Sequence, residues 1–126
     1  MMIDFKNALF VKLHHVPEDT FNALIAPILV SDEKIIGAFQ ALRDGVAFTN
    51  KRMIAINVEG VTGKKKDFTS MPYNKIEAFS VETAGVMDPD SVLELCFAGL
   101  GVVRFEFESC TNILDICRLI SENIFC

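Results

Sequence analysis

Between Glu33 and Glu82, apolar and β-branched runs of strand length are separated by two-residue breaks, and this spacing constrains the fold most. Asp44-Gly45 and Asn50-Lys51 are the breaks, and short turns of this kind mark a tightly wound antiparallel sheet. Strands are expected over 34–42, 45–49, 52–58, 64–71 and 76–82. Glycine supplies the positive φ that a tight turn needs, so Asp44-Gly45 is read as the first hairpin turn. The near-continuous run Met53-Ile54-Ala55-Ile56 points to a strand contacted on both faces. Gly60 and Gly63 punctuate the next loop, and Pro72, which cannot donate to a ladder, ends the fourth strand.

Two more strands follow a looser loop at 83–90, giving seven in all. Over 91–97, Leu93, Leu95 and Phe97 alternate with Glu94 and Cys96; over 102–108, Val103, Phe105 and Phe107 alternate with Arg104, Glu106 and Glu108. Together with Phe79 and Val81, these apolar sets are the expected core. The chain closes with a helix over about 112–125. Its stripe of Ile113, Ile116, Cys117, Ile120 and Ile124 should face the sheet, leaving Asp115, Arg118 and Glu122 in water.

Ahead of the strands, residues 1–30 read as a helical extension. Phe5, Leu9, Phe10 and Leu13 fall near helical spacing, and a short helix is expected over 17–29, begun by Pro17 and limited by Pro27. With no linker or internal repeat, residues 1–126 are read as one domain.

The net charge of −5 should repel nucleic acid and anionic lipid. Eleven Phe in 126 residues exceed what one small core hides, so a homo-oligomer is expected. Cys96, Cys110, Cys117 and Cys126 form no C-x-x-C pair, which argues against zinc and for reduced thiols in a cytoplasmic protein.

Seven short antiparallel strands with one closing helix match a split barrel whose open end the helix covers. Here the chain resembles the bacterial pleckstrin-homology-like (bPH) domains, formerly a domain of unknown function. The resemblance rests on Phe48-Thr49-Asn50-Lys51-Arg52-Met53-Ile54, Gly60-Val61-Thr62-Gly63-Lys64-Lys65, Met71-Pro72-Tyr73 and Phe79-Ser80-Val81-Glu82-Thr83-Ala84-Gly85. It implies a mainly β, PH-like split barrel, small size and cyclic homo-oligomers, and it leaves the biochemical role open. The chain departs from the family in lacking the Trp often found in the sixth strand, near Cys96.

No catalytic, cofactor or metal motif is apparent. The candidate anion or lipid-headgroup residues are Lys51, Arg52, Lys64, Lys65 and Lys66, for which the plainer reading is a set of solvated strand ends. The resemblance implies loss of the usual phosphate pocket, because the first strand connection here is so tight. His14 and His15 are adjacent, so on a helix they would point about 100° apart and chelate one ion poorly. Ser70, Ser80 and Ser109 have no nearby base in sequence, and Asp88-Pro89-Asp90 is read as turn chemistry and not a calcium loop. The expected function is a non-enzymatic module that self-assembles and binds a protein or peptide, with anion binding as the alternative.

Overall fold

The alternating strands assemble into two antiparallel sheets in the computed structural model, which describes residues 10–42, 44–59 and 64–124. The larger sheet has the order β1 (His14–His15), β2 (Ile35–Ala41), β3 (Asp44–Thr49), β4 (Arg52–Glu59) and β5 (Lys65–Pro72). The smaller has β6 (Ile76–Glu82), β7 (Ser91–Phe97) and β8 (Gly101–Phe107). Two α-helical elements pack against these sheets: the single turn α1 (Asn22–Ile25) and the C-terminal α2 (Ile113–Ile124). The fold is mainly β.

Two features of the expected seven-stranded split barrel, closed by the C-terminal helix, are corrected. The ladders form two separate sheets and no closed one, and a short extra strand, β1, joins the larger sheet. That strand comes from the segment read as helical. Phe10 to Val16 is non-helical instead, bending at Lys12 (φ +57°), because its backbone groups find partners in both sheets. The Leu13 N–H donates to the Glu106 carbonyl at 3.0 Å and the Val16 N–H to the Ala38 carbonyl at 3.0 Å. Val16 also precedes Pro17, which disfavours helical backbone there. Phe5 and Leu9 lie outside the described residues.

The helix expected over 17–29 is broken into a 3-10 turn at Glu18–Phe21, α1, and a second 3-10 turn at Ala26–Ile28. Pro27 has no N–H to offer the ladder, so regular helix stops before it. The first hairpin is also shifted. Ala41 pairs with Asp44, so the turn lies before Asp44, and Asp44-Gly45 begins β3. Leu42 takes the positive φ, +48°. Gly45 serves close packing: a Cβ there would lie 2.8 Å from the Phe39 carbonyl and run into the Phe21 ring.

The apolar residues sort into two clusters. Between the sheets, Leu93, Leu95, Phe97, Val103, Phe105 and Phe107 are buried with Phe48, Met53 and Tyr73, as are Ile113, Ile116 and Ile120 of α2. Phe79 and Val81, expected in the core, are only half-buried because β6 is an edge strand with solvent on one side. Cys117 and Ile124 are also half-buried, at the margin of the helix stripe.

A second cluster forms on the outer face of the larger sheet. There Ala38, Ala47, Ile54 and Ile56 are covered by Val16, Phe21 and Ile25. This explains the two-faced apolar pattern of β4. The short helical segment takes up much of the surplus that seemed to need a second subunit.

Candidate functional site

Of the candidate basic residues, Arg52 is already occupied. It opens β4, where its side chain reaches back over the β3–β4 turn to Glu33, with Nε at 2.9 Å and Nη2 at 3.0 Å from the carboxylate. Nη2 also donates to the Ile28 carbonyl and Nη1 to Ser70 Oγ, both at 2.8 Å. The Glu33 side chain is wholly shielded from solvent. Burial pushes its pKa up, but hydrogen bonds from Arg52, Thr49 and the Val30 N–H, with the guanidinium charge, hold it at about 2 against 4.5. Tyr73, raised by burial and then by the Glu33 charge, donates to the Thr49 carbonyl at 2.7 Å. This cluster fastens the N-terminal helical segment to the larger sheet. Sequence reasoning missed Glu33, which carries no pattern distinguishing it from a loop acid.

The lysines do not converge on Arg52. Lys51 sits at the β3–β4 turn, whereas Lys64, Lys65 and Lys66 sit where β5 begins, beside Glu59 at the far end of β4. Seven residue steps along β4 separate the two places, about 23 Å.

That far end gathers other features. The Asp44 carboxylate accepts from the Val58 N–H at 2.9 Å, holding the β2–β3 turn beside the β4–β5 end. Lys12, where the chain bends with a φ of +57°, pairs with Asp90 at 2.5 Å. This pair ties the β6–β7 connection to the segment before β1. Leu42 and, in that connection, Val86 and Met87 are each 95% or more exposed. The Asp88-Pro89-Asp90 segment is a turn, with the Asp90 N–H bonded to Asp88 Oδ1 at 3.2 Å and the Gly85 N–H to the Asp88 carbonyl at 2.7 Å.

A groove of about 370 Å³ runs between β2 and α2. Ile36, Gly37, Phe39, Ile116 and Leu119 supply its apolar surface, and His15, Cys110, Asn112 and Asp115 its polar rim. Asn112 caps α2, accepting the Leu114 N–H on Oδ1 at 3.2 Å. His14 and His15 are exposed on a strand, not a helix, and the His15 ring meets Phe39 edge-on at 5.6 Å. No hydrogen bond joins His15, Cys110 and Asp115 among the described residues. Cys96, Cys110 and Cys117 are free thiols, and Cys126 lies outside the described residues. No described helix is long and apolar enough to cross a membrane.

Comparison with known proteins agrees with this architecture. The family model described as bacterial PH domain matches residues 4–124. An uncharacterized Bacillus subtilis (strain 168) protein, YjqA, is 42% identical over 99 residues, covering 77% of this chain and 79% of its own. A second from that organism, YozO, is 30% identical over 97 residues, covering 77% and 83%. Among solved structures, a DUF1696 family protein with a pleckstrin-homology domain from Shewanella loihica PV-4 superposes with a TM-score of 0.80. It is 35% identical, over 90% of this chain and 98% of that one. With that family match over nearly the whole chain and these relatives, the protein belongs to the bacterial PH domain family.

Proposed function

We infer that the protein is a non-enzymatic, cytoplasmic interaction module that self-associates and presents its surface to a protein or peptide partner. The observation that carries this reading is the near-complete exposure of three large apolar side chains, Leu42, Val86 and Met87. Each lies at a turn or loop tip, where folding does not call for a large apolar side chain, and water contact there is unfavourable. A second copy of the chain removes that surface from water. Lys64 and Lys65 lie at the β4–β5 end beside the β2–β3 turn, and Glu82 and Asp88 flank Val86 and Met87 in sequence, so both signs of charge are available to a repeated contact. Sedimentation velocity at micromolar concentration tests this. A species heavier than one chain supports the reading, and a single-chain species throughout the range contradicts it.

A second reading, anion or lipid-headgroup binding, draws on the exposure of Lys64 and Lys65. It is the weaker of the two, because Arg52 is spent on Glu33 and Lys51 lies at the opposite end.

A further inference from the structure

The groove between β2 and α2 offers more than an apolar hollow. β1 pairs with β2 only at Phe39 and Gln40, and the last bond on that side is from the Val16 N–H to the Ala38 carbonyl. Pro17 follows, has no N–H to continue a ladder, and turns the chain away. Among the described residues, no strand continues along β2 past Ala38 on this side. The uncovered stretch includes Ile36 and Gly37, where the register with β3 is irregular, and both line the groove.

Gly37 is the second observation. Its φ is not positive, and a Cβ built there would meet only side-chain atoms of Phe39, Phe48 and Leu119, at 3.8–3.9 Å. Neither backbone geometry nor crowding requires glycine, although glycine weakens a strand. A strand glycine of this kind suits the close approach of another backbone. The third observation is charge. Asp115, at the rim, is exposed and its carboxylate has no salt-bridge partner among the described residues, on a chain of net charge −5.

We propose that this groove binds an extended peptide of another protein, one that carries an apolar side chain close to a Lys or Arg. The peptide prolongs the β1 ladder along β2, adding main-chain hydrogen bonds beside Ile36. Its apolar side chain sits against Ile36, Ile116 and Leu119, and its basic residue pairs with Asp115. This inference rests on the interaction-module reading and names the partner class and the surface. It does not depend on self-association, which uses Leu42, Val86 and Met87, none of which lines the groove.

The test is selection of a phage-displayed octapeptide library on the immobilised full chain, followed by fluorescence-polarisation titration of the enriched peptide. The expected consensus combines an apolar and a basic position. Ile36→Glu should weaken binding at least tenfold. Asp115→Lys should do likewise, with Asp115→Asn intermediate. Both sites are exposed, so both variants should stay folded, with at most a small fall in thermal midpoint for Asp115→Lys, which puts a cation in the first turn of α2. Enrichment no greater than on blank support overturns the proposal, as does an affinity unaffected by both variants. So does dissociation of a wild-type oligomer by Ile36→Glu, since the groove would then be a contact between copies. A monomeric wild type that still binds the peptide would remove the self-association reading alone.

Discussion

Arg52 holds Glu33 with two nitrogens, at 2.9 and 3.0 Å, and through it joins the chain before β2 to the start of β4. The carboxylate titrates at about 2 when folded and at about 4.5 otherwise. A depressed folded value means that the stabilisation is fully present above pH 4.5 and fades as pH falls towards 2. A shift of this size corresponds to about 3 kcal/mol. Glu33→Gln should lose a comparable amount at neutral pH and flatten the stability profile between pH 4.5 and 2. Urea denaturation across that range checks both. An unchanged slope in the variant would place the acid sensitivity elsewhere.

The core depends on rings and branched side chains packed between the sheets and α2. Phe105 is fully buried, with the Phe10 ring edge-on at 5.1 Å. Phe105→Ala should cost about 3–5 kcal/mol by chemical denaturation. Ile120, also fully buried, makes a harsher case. Ile120→Asp would place a carboxylate without a partner in the core, and the protein should lose its cooperative thermal transition. A folded, soluble Ile120→Asp protein would show that α2 is dispensable to the sheets.

Gly45 distinguishes a turn glycine from a packing glycine. Its place in β3 against Phe21 and the Phe39 carbonyl means that Gly45→Ala should overpack the site, costing about 1–3 kcal/mol. Thermal denaturation reads the loss. No loss would mean that Phe21 moves aside freely and that the helical cover is loosely held.

Vesicles containing phosphoinositide should not sediment this protein at physiological salt. The net charge of −5 opposes approach, and the basic residues are divided between the two ends of the β4–β5 hairpin. Salt-sensitive binding that disappears on neutralising Lys64, Lys65 and Lys66 would favour the anion reading instead.

Alternation made much of the fold legible. Leu93, Leu95, Val103 and Phe105 show a period of two because one face of each strand is buried, and that pattern survives without coordinates. The stripe of α2 was equally clear. Phe10 and Leu13 misled because three or four apolar residues at helical spacing also suit an extended chain whose partners are remote in sequence. Asp44-Gly45 misled for a different reason: a glycine that avoids a neighbouring ring looks the same as one that turns a hairpin. The resemblance carried the family. Candidate sites were least legible, since Glu33 and Arg52 are 19 positions apart and the β2–α2 groove joins strand to helix across most of the chain.

Gel filtration coupled to light scattering, at micromolar concentration, tests the central claim most directly. The wild type is compared with the triple variant Leu42→Glu, Val86→Glu, Met87→Glu, whose positions are already exposed and so should not disturb the fold. The account predicts a wild-type mass that is a whole multiple of one chain. It also predicts a variant that runs as one chain with its circular dichroism unchanged. A wild type with the mass of a single chain, or a triple variant that assembles as the wild type does, would contradict it.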